Sequence, residues 1–131
     1  MVALEEPTLA ELTEYLQDAD AGVRRAAVAV LVENLPDGYQ PDLVAALGDA
    51  DGSVRAESAD ALRELVEVLP DPAAVTPYLP SADPIVRDVT LYVLSSRRVG
   101  AGPDYRAAVT DPDHRVRIEA VRALVSVDDV N

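Results

Sequence analysis

Apolar and polar positions along the chain repeat in one pattern that occurs four times. Two apolar residues four positions apart come first, an acidic turn follows, and a Val-Arg dipeptide then opens a second apolar stripe. The four dipeptides are Val23-Arg24, Val54-Arg55, Val86-Arg87 and Val116-Arg117. Successive dipeptides are about thirty residues apart, and self-similarity at such a period indicates a stacked repeat protein.

Each repeat predicts two helices joined by a turn. The leading apolar pairs have the i, i+4 spacing that places both side chains on one helix face. These pairs are Leu12 and Leu16, Leu43 and Leu47, Val75 and Leu79, and Tyr105 and Val109. A small or β-branched residue and then a leucine follow each arginine, again at helical spacing; the leucines are Leu31, Leu62, Leu94 and Leu124. Each unit therefore predicts a short helix A, an acidic turn and a longer helix B.

Start and stop signals agree with this division. An aspartate stands three residues before each of the four valines, where its carboxylate can accept hydrogen bonds from the free N–H groups of helix B. These aspartates are Asp20, Asp51, Asp83 and Asp113. Thr8-Leu-Ala-Glu11 has the form of a capping box for the first helix A. Pro77 and Pro80 predict that the third helix A is short or kinked, and Gly100-Ala-Gly102 has the composition of a linker.

The pattern L-x-x-x-L-x-D-x-D-x-x-V-R-x-x-A-x-x-A-L resembles the HEAT repeat in its short form, found in HEAT-like proteins related to the phycobilisome lyases. The third unit departs from it, with Ser81 in place of the first aspartate and Thr90 in place of alanine. The resemblance implies an all-α, right-handed α-solenoid of four helix-turn-helix repeats, with about eight helices and the B helices lining its concave side. We expect one domain over residues 1–131, with units at residues 8–36, 37–70, 71–100 and 101–131.

The charge of the chain is unusual. There are 24 acidic and 11 basic residues, which give a formal net charge of −13, and all 11 basic residues are arginines. A GC-rich genome, which favours arginine over lysine codons, is one explanation. We favour the other, adaptation of a halophile to molar salt, because acidity and the loss of lysine occur together. At about 1 M salt the Debye length is only about 3 Å, so the net charge would then say little about partners.

The residue types needed for catalysis or metal binding are scarce. The chain has no cysteine, and its only histidine, His114, lies in a turn beside Asp113 and Arg115. Zinc sites and nucleophile–base pairs therefore lack their parts. A calcium loop that begins at Asp49 would need glycine at its sixth position, where the chain has Val54, and its twelfth position, Asp60, falls inside helix B. Helix capping therefore explains this turn. We expect a cytoplasmic, non-enzymatic protein without a metal or other cofactor and without a membrane span.

Helical geometry predicts that the arginine of each Val-Arg dipeptide does not face the groove, which is the concave side lined by the B helices. At about 100° per residue, Arg24 lies about 60° from the apolar stripe, toward a neighbouring unit whose acidic turn it can bridge. Positions opposite the core face solvent and line the groove, and tyrosine and arginine are the residues that most often anchor interfaces. The predicted partner-binding residues are Arg25, Asp60, Arg63, Asp88, Tyr92 and Arg122.

The resemblance implies an adaptor or scaffold that binds a protein partner of unknown identity. The alternative is an accessory or lyase-type subunit that holds a chromophore- or cofactor-bearing protein. Nucleic acid is the least favoured partner, because Asp60, Glu64 and Asp88 interrupt any basic stripe. No evident capping helix covers Val121 and Val125 in the fourth unit, and such an end offers a surface for self-association with a second copy.

Overall fold

The computed structural model describes residues 7–128, and this part of the chain contains helices and turns but no strand. Its α-helices are α1 (Leu9–Tyr15), α2 (Ala21–Asn34), α3 (Tyr39–Ala45), α4 (Gly52–Glu64), α5 (Pro84–Ser96), α6 (Gly102–Ala108) and α7 (His114–Asp128). Three 3-10 helices occupy Ala46–Gly48, Val66–Val68 and Pro72–Tyr78. The predicted all-α fold is confirmed. None of the helices in this range is long and apolar enough to cross a membrane.

The chain forms two compact units that divide between Ser58 and Ala59, within α4. The first unit contains α1, α2, α3 and most of α4, and the second contains the end of α4 and the later helices. The helix pairs fall within the four repeats that the sequence predicts, with Pro72–Tyr78 as the first helix of the third pair. The single domain and the right-handed solenoid stay predictions.

Each helix A is short and each helix B is longer, as the pattern predicts. The helices α1, α3 and α6 have seven residues each, whereas the B helices have 13 to 15. The third helix A is a 3-10 helix of seven residues that contains Pro77. Proline removes a backbone donor and clashes with the preceding turn of an α-helix, so the expected disturbance of this helix is confirmed.

Side-chain caps begin the helices at the predicted residues. At α1, Glu11 N donates to Thr8 Oγ1 at 3.2 Å and Thr8 N donates to Glu11 Oε1 at 2.9 Å. The turn aspartates accept backbone N–H groups at the start of all four B helices: Asp20 from Val23 at 3.1 Å, Asp51 from Ser53 at 2.8 Å, Asp83 from Ile85 at 2.9 Å and Asp113 from Arg115 at 2.8 Å. These bonds satisfy donors that the first helical turn leaves free, and they fix where each B helix begins.

The apolar stripes form the core of each unit. Core residues of the first unit include Leu12, Val28, Leu31, Leu43, Leu47 and Val54, and those of the second include Leu62, Val75, Val86, Leu94, Tyr105 and Val116. The stripe prediction is wrong at Val23, which is 38% exposed although its three equivalents are fully buried. Val23 therefore does not contribute to the core as the other three valines do. Leu16, Leu79 and Val109 are only half-buried.

The end of α5 contains a left-handed residue that is not glycine. Arg98 has a φ of 58°. Its N–H donates to Ser95 O at 3.2 Å, and the N–H of Val99 donates to Leu94 O at 3.0 Å. This is the Schellman pattern, in which glycine usually occupies the left-handed position because it has no Cβ.

Arg97, the preceding residue, connects α5 to the segment that follows α4. Its Nη1 donates to the carbonyl oxygens of Val66 at 3.0 Å and Leu69 at 2.8 Å. One guanidinium thus satisfies two acceptors around the 3-10 helix Val66–Val68, where regular helical bonding has ended.

Tyr105 and Gly100 pack closely in the second unit. Tyr105 is the largest fully buried side chain among the described residues. Burial raises the pKa of this phenol. A methyl group on Gly100 would overlap the Tyr105 hydroxyl. Gly100 is therefore a packing position rather than only part of a linker, and Gly102 is already the first residue of α6.

Candidate functional site

The arginine of the first Val-Arg dipeptide joins two acidic turns of the first unit. Arg24 donates from Nε and Nη2 to the Asp49 carboxylate at 2.9 and 3.0 Å, and from Nη1 to Asp18 O at 2.8 Å. Asp49 also accepts the N–H of Asp51 at 2.8 Å. The side chains of Arg24 and Asp49 are only 16% and 13% exposed. The predicted structural role of Arg24 is confirmed.

Arg87 makes the same contacts in the second unit. It donates to the Asp111 carboxylate at 2.8 and 2.9 Å and to Ser81 O at 2.8 Å. The hydrogen bond between them lowers the pKa of Asp111 and raises the pKa of Arg87. Arg117, at the same repeat position, donates to the carbonyls of Asp111 and Pro112 and has no carboxylate partner among residues 7–128. Arg24 and Arg87 therefore serve the packing of turns.

Five of the six predicted partner-binding residues belong to the second unit. They are Asp60, Arg63, Asp88, Tyr92 and Arg122. Arg25 belongs to the first unit, where its Nε donates to Glu57 Oε1 at 3.1 Å. The side chains of this pair are 58% and 31% exposed. An ion pair so open to water adds little to stability.

Three of the five residues form a connected group. Arg63, near the end of α4, donates from Nη2 to Asp88 Oδ2 on α5 at 2.8 Å. The Arg63 guanidinium also lies over the Tyr92 ring, 4.6 Å from the ring centroid, which is within the range of cation–π attraction. Asp88 and Tyr92 are one helical turn apart, so one guanidinium can contact both. Because of these contacts Arg63 is half-buried. Helical geometry had predicted that its side chain faces solvent.

Burial changes the acidity of the Asp88 carboxyl. Its side chain is 17% exposed. Burial raises the pKa of Asp88, although the charge of Arg63 and the hydrogen bond from Arg63 oppose this change. The Tyr92 hydroxyl, by contrast, makes no hydrogen bond within the described part of the chain. The ring contacts Arg63, so the hydroxyl is the part of Tyr92 without a partner among these residues.

Glu119 on α7 belongs to this group and was missed by sequence analysis. The residue is 7% exposed and makes no hydrogen bond or ion pair with any residue that the structure describes. Burial raises the pKa of Glu119 and the charge of Asp88 raises it further, while Arg63 and Arg122 oppose them. Glu119 stands three residues after Val116, at the edge of the apolar stripe. The hydropathy pattern does not separate a buried from an exposed glutamate at such an edge.

Arg122 and Asp60 are exposed. Arg122 lies close enough to Glu119 for its charge to act on that carboxyl, without an ion pair between them. Asp60 makes no hydrogen bond or ion pair among the described residues, so nothing connects it to the others. We use the name Tyr92 cluster for Arg63, Asp88, Tyr92, Glu119 and Arg122.

The first unit contains a cleft of about 420 Å³ lined in part by Leu16, Arg24, Asp42 and Asp49. Its charged groups are already bonded within the fold. Arg24 pairs with Asp49, and Asp42 accepts the Thr13 hydroxyl at 2.6 Å. A ligand would have to compete with these bonds, so the cleft is a weaker candidate than the Tyr92 cluster.

The last helix carries an apolar surface. Ile118, Val121 and Val125 are 49%, 53% and 73% exposed. The exposure of Val121 and Val125 leaves the proposed self-association surface accessible among the described residues. His114, the first residue of α7, is exposed. In the same range no group of three or more histidine, aspartate or glutamate side chains is placed to hold a metal ion.

Comparison with known proteins identifies the family of the chain. A family model described as HEAT repeats matches residues 9–95. No curated protein and no solved structure matches the chain at a significant level. The match ends near the end of α5, yet α6 and α7 repeat the same construction, with the Asp113 cap and the bonds of Arg117 to its own turn. Because the matched residues make up more than half of the chain, the protein belongs to the HEAT-repeat family.

Proposed function

We propose that the protein is a non-catalytic adaptor that holds a protein partner on the Tyr92 cluster of its second unit. HEAT repeats are commonly protein-interaction scaffolds, and this supports a binding role over a catalytic one. The Tyr92 cluster contains a tyrosine and two arginines, which are the residue types that most often anchor interfaces. Binding then consists of contacts from side chains that are already in position, and no bond is made or broken.

The contact of Arg63 with both Asp88 and Tyr92 carries this proposal. Ordering a long side chain on binding costs about 0.5–1.5 kcal/mol. The 2.8 Å bond and the ring contact at 4.6 Å already hold Arg63 and Tyr92 in one arrangement before a partner arrives. An ordered tyrosine with a free hydroxyl can bury area and still satisfy a hydrogen bond with its partner.

Variants of the two outermost groups test the proposal. We expect Tyr92→Phe to weaken capture of the partner from an extract of the native host, because it removes only the unoccupied hydroxyl. We expect Arg122→Ala to weaken it further, because interface arginines are frequent anchors. Tyr15→Phe and Arg106→Ala serve as matched controls, since Tyr15 is 53% exposed on α1 and Arg106 is exposed on α6. Both controls should bind as the wild type does.

Quantitative mass spectrometry of the captured proteins is the measurement, with melting temperatures to show that every variant is folded. Equal capture by all four variants and the wild type would remove the Tyr92 cluster from the binding surface. The identity of the protein depleted by the Tyr92 and Arg122 variants separates a general adaptor from a lyase-type subunit, because only the latter should capture a chromophore- or cofactor-bearing protein.

A further inference from the structure

Two repeat positions on successive B helices can be compared between the two compact units. In the first unit, Arg25 stands two residues after Val23 and pairs with Glu57, three residues after Val54, at 3.1 Å. The same offsets in the second unit, counted from Val86 and Val116, select Asp88 and Glu119. The second unit therefore has a carboxylate, Asp88, at the position of Arg25 in the first unit. Glu119 consequently has no arginine at the position from which Arg25 pairs with Glu57.

The structure shows the consequence of this exchange at Glu119. The residue is 7% exposed, whereas the side chain of its equivalent Glu57 is 31% exposed beside Arg25. Glu119 nevertheless has no hydrogen bond or ion pair among the described residues. Buried carboxylates are almost always paired, because an unpaired buried charge is costly. The Glu119 oxygens are not among the fully buried atoms without a partner, so a cation from outside the chain can reach them.

The arginines of the second unit do not fill this place. Arg63 is engaged by Asp88 at 2.8 Å and by the Tyr92 ring. Arg115 is bonded to Asp113 at 3.1 Å, and that bond holds the pKa of Asp113 at about 2. Both guanidiniums thus have acceptors of their own. Arg122 is exposed and acts on Glu119 only through its charge.

We propose that an arginine side chain of the partner enters the Tyr92 cluster beside Glu119 and takes the place that Arg25 has beside Glu57. This inference rests on the proposed function, because it names the partner group that the cluster receives. The carboxylates of Glu119 and Asp88 accept from the incoming guanidinium, and Tyr92 presents its free hydroxyl nearby. An arginine fits better than a neutral side chain, since its planar fork donates to carboxylates in pairs.

A small probe tests the site without the partner. N-acetylarginine N-methylamide carries one guanidinium and no other charge, and the matching citrulline compound has nearly the same shape without the charge. Carbon-detected NMR of the side-chain carboxyls follows titration of the labelled full chain. We expect a saturable shift of the Glu119 carboxyl signal with the arginine compound, and at least about tenfold weaker binding of the citrulline compound, as the loss of a charge-assisted bond implies.

Two variants and one control locate the binding. Glu119→Gln should abolish saturable binding, whereas Glu57→Gln, at the equivalent position beside Arg25, should leave it unchanged. Asp88→Arg should also block the probe, because it supplies the missing cation from within the chain, on the pattern of Arg25 and Glu57. Melting temperatures and circular dichroism show that each variant is folded.

Three results would overturn the inference. They are equal binding of the arginine and citrulline compounds, unchanged binding to Glu119→Gln, and shifts that spread over exposed carboxyls without saturation. Failure of the proposed function looks different. In that case the probe binds at Glu119, yet partner capture does not respond to Tyr92→Phe or Arg122→Ala.

Discussion

Replacing Arg87 with alanine removes three hydrogen bonds that hold two turns of the second unit together. Two go to Asp111 at 2.8 and 2.9 Å, and one goes to Ser81 O at 2.8 Å. A hydrogen bond to a charged group contributes about 1.5–3 kcal/mol, and loss of one partner of a buried pair costs about 3–5 kcal/mol. The side chains are 17% and 10% exposed, so we expect Arg87→Ala to lower the free energy of unfolding by about 3 kcal/mol.

Arg117 supplies the matched control, because it has the same repeat position and, among residues 7–128, bonds to turn carbonyls but not to a carboxylate. Arg117→Ala should cost about 1 kcal/mol. In a double-mutant cycle of Arg87→Ala with Asp111→Ala, we expect a coupling energy of about 2 kcal/mol. Urea unfolding followed by circular dichroism measures the wild type and the four variants. A coupling below about 0.5 kcal/mol, or equal losses from Arg87→Ala and Arg117→Ala, would refute the reasoning.

The pH dependence of the same variants provides an independent check. The hydrogen bond from Arg87 lowers the pKa of Asp111 from its ordinary value of 3.8, so the folded state binds this proton less readily than the unfolded chain. The stabilisation is therefore complete above the unfolded pKa and is lost as the pH falls through the folded pKa. The stability difference between the wild type and Arg87→Ala should stay constant near neutral pH and shrink below about pH 4.

Three further outcomes are expected. Arg98→Gly should stabilise the protein by up to about 1 kcal/mol, because glycine adopts the left-handed conformation without a Cβ, whereas Arg98→Ala should bring no such gain in urea unfolding. Gly100→Ala should cost about 1–3 kcal/mol through overlap with the Tyr105 hydroxyl; Gly102→Ala, whose methyl group would meet nothing within 4 Å, is the control, and equal losses would contradict the packing argument. The melting temperature should climb steeply from low to molar KCl, since salt screens the repulsion within a chain of net charge −13, and a flat response would leave codon usage to explain the missing lysines.

Local rules account for the parts of the fold that the sequence predicted well. The Asp51 and Asp113 caps and the Thr8 capping box depend on residues two or three positions away, so their spacing alone predicts them. The bond from Arg24 to Asp49 was predictable because helical geometry directs this arginine toward the next acidic turn. The fixed offsets of a repeat make such contacts recur.

Features that depend on a particular neighbour were not predictable in this way. Val23 matches the apolar pattern in full, but its burial depends on an adjacent helix pair and not on its own spacing. Glu119 lies at the edge of an apolar stripe. Its electrostatic environment depends on the charges of Asp88 and Arg63, which belong to other helices. Gly100 has the composition of a linker, and only the position of the Tyr105 ring makes it a packing residue.

The same limit applies to the candidate site. Helical geometry placed Arg63, Asp88 and Tyr92 on solvent-facing positions of the B helices, and the structure brings these three residues into contact. It did not reveal that Arg63 bridges the other two, because this contact depends on side-chain conformations across two helices. Helical geometry also did not connect Asp60 to this group. Among the described residues Asp60 makes no hydrogen bond or ion pair with any of them.

Photocrosslinking from position 96, one helical turn after Tyr92 on α5, tests most directly whether the Tyr92 cluster holds the partner, because it leaves the tyrosine in place. Benzoylphenylalanine at position 96 should yield one crosslinked protein in an extract of the native host, and excess wild-type chain should suppress this product more than excess Arg122→Ala does. The same group at position 15 on α1 should yield none of it. A product that forms equally from position 15, or only from positions 118, 121 and 125 on the apolar surface of α7, would contradict the assignment and move the binding site to that surface.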